Sequence, residues 1–214
     1  KIIKAAPNSI LLVASNPVDI ITHLCTEISH GLCGHDRSKV IGSGTILDTA
    51  RFRTLLSNHV GVSPHSIHAY VLGEHGDSEV IQWSTAMVGT IPINDFSVQV
   101  NAPITQEVRN RIDASVKNAA YRIIKGKGAT WFGIGAGIAR LAKAIIDDQN
   151  VVLTCCTQTD SIEGVKNVTA SLPRIISSNG VEETLYPVLS NSESAELQKS
   201  VETIKALTED VLEF

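Results

Sequence analysis

The stretch SILLVAS at residues 9–15, together with the run KVIG at residues 39–42, decides the predicted fold of this chain. The first run is short, apolar and unbroken, which is typical of a strand buried on both faces of a parallel sheet. Asn16 and Pro17 turn the chain after it, and apolar residues then recur at helical spacing over residues 21–28. The order strand, helix, strand predicts one parallel βαβ crossover.

Beyond residue 43 the regular alternation gives way to a mixed pattern. Apolar spacing predicts helices at residues 46–59, 104–123, a segment that ends near residue 147, and 197–211. Strands are predicted at residues 68–72, 151–157 and 168–177, and Asn179-Gly180 is a strong turn signal. Ser192 is the predicted N-cap of the last helix. An α/β opening with too few strands for a doubly wound sheet thus leads into an α+β remainder.

Composition excludes several classes of function. The 214 residues carry a net charge of −4 with Lys and Arg scattered, so we expect neither a nucleic-acid surface nor an anionic-membrane surface. The most apolar helical stretch, residues 134–146, is interrupted by Arg140 and Lys143, which argues against a membrane span. The chain begins at Lys1 without a signal-like segment, and we expect a preceding part of the polypeptide.

The spacing of the four cysteines does not suit a disulfide framework, because two of them are adjacent and none forms a C-x-x-C pair. We expect all four to be reduced thiols of a cytoplasmic protein. These residues are Cys25, Cys33, Cys155 and Cys156.

Three residues have the chemistry of a catalytic site. Asp48 and Arg51 are three apart on a predicted helix, where they interrupt an apolar stripe; a charged pair on an inward face is costly unless it is paired or functional. His75 lies between glycines in Gly73-Glu74-His75-Gly76, just after a strand, and its pKa suits proton transfer near neutral pH. The alternatives are a surface ion pair and an ordinary loop histidine.

Other motifs predict no site. His65 and His68 form H-x-x-H, but no third ligand has matching spacing, so we expect no metal. Neither Gly42-Ser43-Gly44 nor Gly133-Ile134-Gly135 continues into the G-x-G-x-x-G dinucleotide motif. Nucleotide binding therefore does not follow from these residues alone.

Five segments, taken together and in order, resemble the L-lactate dehydrogenase family along almost the whole chain. They are SNPVD at 15–19, GSGTILDTARFR at 42–53, VLGEHGDSEVIQWS at 71–84, KGATWFGIG at 127–135 and SLPRIISSNGVEE at 171–183. The resemblance implies that residues 1–43 are the end of a Rossmann-type dinucleotide-binding domain with an incomplete parallel sheet. Residues 44–214 are then the α+β catalytic domain of the lactate/malate dehydrogenase superfamily.

The resemblance also implies roles in NAD-dependent interconversion of pyruvate and L-lactate. His75 is the proton donor and acceptor, Asp48 orients its ring, and Arg51 grips the substrate carboxylate. Thr130 matches a substrate-pocket threonine, and Asn16 an asparagine near both nicotinamide and substrate. Ser15 and Ile134 are implied on the cofactor side.

Regulation and assembly follow from the same resemblance. Arg53 and His68 resemble the phosphate-binding pair of bacterial members that fructose 1,6-bisphosphate activates, and that pair faces its copy across a subunit interface. A glycolytic, cytoplasmic homotetramer is implied. The alternative for these two residues is a pair of solvated basic side chains.

In the family, the phosphate loop, the ribose-binding carboxylate and a mobile loop with a second arginine precede the first segment present here. We therefore expect this chain alone to be inactive. Two rival functions are a malate dehydrogenase of the same superfamily and a non-catalytic homologue that serves as a binding module. Retention of Asp48, Arg51 and His75 together argues against the binding module.

Overall fold

The computed structural model describes residues 1–212. Its strands are Leu11–Val13 (β1), Val40–Gly42 (β2), Ile67–Leu72 (β3), Val80–Val88 (β4), Ile91–Pro92 (β5), Val151–Ile162 (β6), Val165–Ser177 (β7) and Gly180–Thr184 (β8). Its α-helices are Ile2–Ala5 (α1), Val18–Cys33 (α2), Ile46–Val60 (α3), Ile93–Gln99 (α4), Gln106–Lys117 (α5), Ala119–Lys127 (α6), Phe132–Ile146 (α7) and Asn191–Leu212 (α8).

The larger sheet has five strands in the order β1-β2-β6-β7-β8. β1 and β2 are parallel, with Leu11 opposite Val40, and α2 connects them, so the predicted βαβ crossover is confirmed. All other pairs in this sheet are antiparallel. β1 lies at the edge, and Leu11 and Leu12 are only half-buried. The expectation that this strand is buried on both faces therefore holds for Val13 but is wrong for Leu11 and Leu12 in the described part of the chain.

The smaller sheet consists of β3, β4 and β5, all antiparallel. Strand β4 is absent from the sequence-based prediction because its buried residues do not alternate: Gln82 and Trp83 are neighbours and both are buried. An isolated bridge between Gly73 and Ser171 joins the end of β3 to β7. This bridge brings the two sheets together at the position where the His75 loop begins.

The predicted helix over residues 104–123 is in fact two helices, α5 and α6. Asn118 separates them, and its side-chain amide donates to the carbonyl of Ala114 at 2.8 Å. This side-chain bond competes with continuation of the helical ladder. Thr105 caps α5 by accepting from the Val108 backbone, so Ile104 precedes the helix.

Helix α8 is capped by Ser190 rather than by the predicted Ser192. The Ser190 hydroxyl accepts from the Glu193 backbone at 3.3 Å, and the Glu193 carboxylate accepts from the Ser190 backbone at 2.9 Å. This reciprocal pair is a capping box. The second carboxylate oxygen of Glu193 accepts from the backbones of Trp83 and Ser84, which anchors α8 to β4.

The core that supports α3 is formed with β3, β4 and α5. Phe52 and Leu56 of α3 are fully buried, and the Phe52 ring meets Trp83 edge-on with centroids 4.9 Å apart. The C-terminal half of α3 is thereby held in the core, while its first turns face the large sheet. No helix in residues 1–212 is both long and apolar enough to cross a membrane. The four cysteines are free thiols.

Candidate active site

Two threonines hold the start of α3 against β3. The Thr45 hydroxyl donates to the Val71 carbonyl at 2.6 Å, and the Thr49 hydroxyl accepts from the Val71 backbone at 2.9 Å. Both threonines are buried. Because Asp48 lies between them on α3 and His75 follows the end of β3, these bonds set the distance between the two side chains.

Asp48 and His75 meet in the way that the resemblance implies. The Nδ1 atom of His75 lies 2.6 Å from Oδ2 of Asp48, although the residues are 27 positions apart. The Asp48 side chain is 4% exposed and that of His75 is 24% exposed. A buried carboxylate on Nδ1 fixes the orientation of the ring and leaves Nε2 for a ligand.

Arg51 has a partner within the protein as well as the substrate role that the resemblance implies. Its NH1 group donates to Oδ1 of Asp48 at 2.6 Å, so one carboxylate holds both cationic side chains. Among residues 1–212 this is the only hydrogen bond of the Arg51 guanidinium, which carries five N–H donors. The side chain is 22% exposed, and the remaining donors are available to an anion.

These three side chains and Asn16 line one cleft of about 210 Å³. Asn16 is exposed and follows β1, so the parallel pair of β1 and β2 places it near the start of α3, which carries Asp48 and Arg51. The walls are completed by residues of the segment between His75 and β4 and by residues of α5 and α6. Of the other predicted site residues, Ser15, Thr130 and Ile134 do not belong to the lining of this cleft in the described structure.

The charges around His75 favour its protonated form. Burial has the largest single effect and lowers the pKa of His75. The hydrogen bond and charge of Asp48 outweigh it, with smaller contributions from the charge of Asp19 and from Glu79 when it is ionised, and they raise this pKa above its usual value. The site therefore favours the imidazolium more than water does, as a proton donor requires.

Sequence reasoning missed two buried carboxyl groups at this site. Asp19 and Glu79 are each 4% exposed, and each has one carboxyl oxygen without a hydrogen-bond partner in the described residues. Both lie inside the quoted segments SNPVD and GEHGDSE. Their positions in the sequence could have indicated burial. Asp19 lies at the start of an apolar helix and Glu79 directly precedes an apolar strand, and side chains at such places are expected to be buried.

Burial raises the pKa of Glu79 to about 8, and the negative charge of Asp48 adds to this effect, while His75, Lys117 and Arg51 act against it. The pKa in the folded state is thus above the usual value of 4.5. The contribution of protonated Glu79 to the free energy of unfolding is therefore fully present below about pH 4.5. It is lost as pH rises through about 8.

We expect Glu79→Gln, which cannot ionise, to gain stability relative to wild type as pH rises. The difference in the free energy of unfolding should grow by at least about 1 kcal/mol between about pH 5 and about pH 9. Urea unfolding at both pH values measures it. The exposed Glu196→Gln is the matched control, and parallel pH dependence of wild type and Glu79→Gln would contradict the assignment.

Arg53 and His68, the predicted effector pair, also lie together. They line a separate cavity of about 370 Å³, which His65 shares. The Nε group of Arg53 donates to the Ala69 carbonyl at 2.9 Å, and its guanidinium lies 4.9 Å from the ring centroid of Tyr70. These contacts fix the Arg53 stem and orient its charged end.

An imidazole held by a buried carboxylate, with a guanidinium on the same carboxylate, is an arrangement suited to proton transfer at a bound anion. The family comparison agrees with this chemistry. Residues 45–214 match the lactate/malate dehydrogenase alpha/beta C-terminal domain. The chain belongs to the lactate/malate dehydrogenase family.

Within this family, two similar relatives are named L-lactate dehydrogenases. The chain is 54% identical to an L-lactate dehydrogenase of Allorhizobium ampelinum over 97% of its own length and 66% of that protein. It is 52% identical to an L-lactate dehydrogenase of Thermus aquaticus over 96% of its length and 65% of that protein. The chain thus spans slightly less than two thirds of the length of these relatives.

Two solved structures with a similar fold are also lactate dehydrogenases. A lactate dehydrogenase from a Medee basin deep-sea metagenome library superposes with a TM-score of 0.89 at 36% identity, covering 97% of this chain and 64% of that one. The minor L-lactate dehydrogenase of Enterococcus mundtii superposes with a TM-score of 0.86 at 39% identity, covering 94% and 63%. The α/β architecture predicted from the sequence is confirmed.

Proposed function

We propose that the intact enzyme, meaning the full-length polypeptide that carries residues 1–214, is an NAD-dependent L-lactate dehydrogenase. The observation that carries this proposal is the 2.6 Å contact between His75 and Asp48 in the cleft that Arg51 and Asn16 also line. The relatives named L-lactate dehydrogenase support the choice of substrate over malate.

In pyruvate reduction, protonated His75 donates its Nε2 proton to the substrate oxygen, and in lactate oxidation it takes that proton back. Asp48 accepts from Nδ1 in both states, so the ring keeps its tautomer and orientation. The same carboxylate stabilises the imidazolium, so the proton is held on His75 until the substrate oxygen develops charge.

Arg51 orients the substrate. Its position three residues after Asp48 places the guanidinium at the cleft, where one N–H group bonds the enzyme's own carboxylate and the others face the lining. A planar fork of donors matches a substrate carboxylate in two places. Binding that group presents the adjacent carbonyl to His75 in one orientation.

The residues of this chain fit the nicotinamide end of NAD. Asn16 follows the carboxyl end of the parallel strand β1, the place where open α/β sheets bind ligands, and it opens into the same cleft as His75. When bound, NAD supplies the hydride chemistry of the reaction. We assign residues 1–43 to the dinucleotide-binding domain and residues 44–214 to the catalytic domain, with Ser15, Ile134 and Thr130 completing the site when the cofactor is in place.

Pyruvate and oxaloacetate distinguish the proposal from the malate alternative. The intact enzyme should oxidise NADH with pyruvate at a kcat/KM at least about 100-fold above that with oxaloacetate, because a charged second carboxylate needs its own partner. Loss of NADH absorbance measures both rates. Preference for oxaloacetate would identify a malate dehydrogenase, and no turnover with either would leave a binding module.

We propose further that the enzyme is a cytoplasmic homotetramer activated by fructose 1,6-bisphosphate. Arg53, His68 and Arg140 line the 370 Å³ cavity, which supplies cationic groups for a phosphate. Arg140 is already oriented by a hydrogen bond of 2.6 Å to Gln149. In the tetramer, two copies of the Arg53 and His68 pair would face one sugar bisphosphate.

Fructose 1,6-bisphosphate should lower the pyruvate concentration that gives the half-maximal rate. Arg53→Gln should abolish this response and leave the saturated rate within about twofold, since Arg53 bonds to Ala69 and lies over Tyr70, outside the lining of the catalytic cleft, and its charge is the group proposed to bind phosphate. Steady-state rates with and without the effector measure both effects. Arg111→Gln, at an exposed arginine outside this cavity, is the control. An unresponsive wild type would remove the regulatory assignment.

A further inference from the structure

Asp19 links the nicotinamide side of the cleft to the catalytic histidine. It lies in the first turn of α2, three residues after Asn16, and its Oδ2 atom accepts from the backbone N–H of His75 at 2.8 Å. The two residues are 56 positions apart, so the bond crosses from the βαβ unit to the loop after β3. Asp19 is 4% exposed, and its Oδ1 atom has no hydrogen-bond partner in residues 1–212.

This carboxyl group sits in a place that is unfavourable for a charge. Burial raises the pKa of Asp19 to about 6, although the hydrogen bond from the His75 backbone, the neighbouring Cys156 thiol and the positive charge of His75 lower it. The nearby negative charge of Glu74 acts in the same direction as burial. A buried carboxyl with an unpaired oxygen is costly to the fold, so apolar packing does not account for it.

We propose that Asp19 is a positioning residue for His75: it fixes the backbone of the catalytic histidine and places a second negative charge beside its ring. The proposal rests on the proposed function in assigning proton transfer to His75. Asp48 orients the ring from the side of α3, whereas Asp19 holds the main chain of the same residue from the side of α2.

The backbone bond matters because proton transfer depends on position. Asn16 lies in the turn just before α2, and Asp19 lies in the first turn of that helix. The bond between Asp19 and the His75 backbone therefore fixes the distance from Asn16, on the cofactor side of the cleft, to the His75 proton donor. Misplacement by about 1 Å can cost about 100-fold in rate. Loss of this bond should therefore lower kcat.

The charge matters because it favours the imidazolium. Removal of one negative charge lowers the pKa of His75, and pyruvate reduction, which needs protonated His75, then fails at lower pH. The charge is present above about pH 6, where Asp19 ionises, and absent below it. The other titratable groups that face His75 or Asp19 stay in place, namely Asp48 on α3, Glu79 just before β4, Glu74 in the His75 loop and Cys156 on β6.

Two substitutions in the intact enzyme separate the two roles. Asp19→Asn keeps an oxygen that can accept from the His75 backbone but removes the charge. Asp19→Ala removes both the charge and the acceptor. Thr26→Val is the matched control, because Thr26 is buried in the same helix and its hydroxyl, within residues 1–212, donates only to the Thr22 carbonyl. Unfolding midpoints and NADH affinity are measured for all three.

For Asp19→Asn, we expect the alkaline limb of the pH profile of kcat/KM for pyruvate to move down by about 0.5–1 pH unit. Its rate near pH 6, where Asp19 loses its charge in wild type, should approach that of wild type. For Asp19→Ala, we expect the same shift and an additional loss of about 10-fold or more in kcat at every pH. Thr26→Val should follow wild type within about twofold.

Histidine NMR titration of His75 provides a readout that does not depend on activity. The pKa of His75 should fall in Asp19→Asn and stay unchanged in Thr26→Val. An unchanged pKa of His75 in Asp19→Asn, or an equal shift in the control, overturns the role of Asp19. Failure of wild type to reduce pyruvate overturns the proposed function instead, and the titration still decides the role of Asp19.

Discussion

His75→Ala in the intact enzyme is expected to lower turnover of pyruvate by at least about 100-fold. The substitution removes the imidazole that bonds to the Asp48 carboxylate in the cleft that Arg51 also lines. Without it, the proton must come from water, which has no fixed position and a much weaker driving force for transfer. Steady-state and single-turnover rates of pyruvate reduction measure the loss.

NADH affinity should change little in this variant, because the ring contributes a proton and not a large part of the cofactor surface. His65→Ala, an exposed histidine away from this cleft, is the control and is assayed without the sugar phosphate. A His75→Ala enzyme that turns over pyruvate within a few-fold of wild type would show that another group donates the proton.

Arg51→Lys is expected to weaken pyruvate binding by about 2–4 kcal/mol, the scale for one charged contact left incomplete. This corresponds to an increase of about 30- to 900-fold in KM. A lysine at this position can keep the ion pair with Asp48, so the site keeps its charge and the fold keeps its buried partner. It cannot supply the planar pair of donors that a carboxylate requires, and the loss therefore reports on the fork alone.

The loss should appear mainly in KM for pyruvate and in the affinity for its analogue oxamate, with NADH affinity nearly unchanged. Arg111→Lys on the exposed face of α5 is the matched control. Oxamate binding as tight as in wild type would return Arg51 to a structural ion pair with Asp48. The structure already contains that ion pair, so Arg51 would then have a structural role alone.

Local periodicity was enough for much of the fold. The βαβ opening, helices α3, α7 and α8, and the turn at Asn179-Gly180 were predicted from apolar spacing and turn residues, and the structure confirms them. The family resemblance rested on five ordered segments, and the comparisons confirm it. These features depend on residues that are close in sequence, so the spacing of side chains specifies them without knowledge of the fold.

Errors arose where packing overrides local pattern. Strand β4 was missed because Gln82 and Trp83 are buried on opposite faces, and the helix break at Asn118 depends on one side-chain hydrogen bond. The cap of α8 shifted to Ser190 because Glu193 completes a capping box there while also binding the backbone of β4. Each of these outcomes is decided by a contact with a partner that spacing alone does not identify.

The sequence by itself determined the family and the βαβ opening, and it singled out Asp48, Arg51 and His75 as candidates for catalytic chemistry. Only the tertiary structure decided that Asp48 holds His75 and Arg51 at once, and that Asp19 bonds to the backbone of His75. The physical reason is that periodicity reports which face of an element is apolar. Distances between side chains 27 or 56 positions apart, and the burial that shifts their pKa values, exist only once α2, α3 and β3 have packed together.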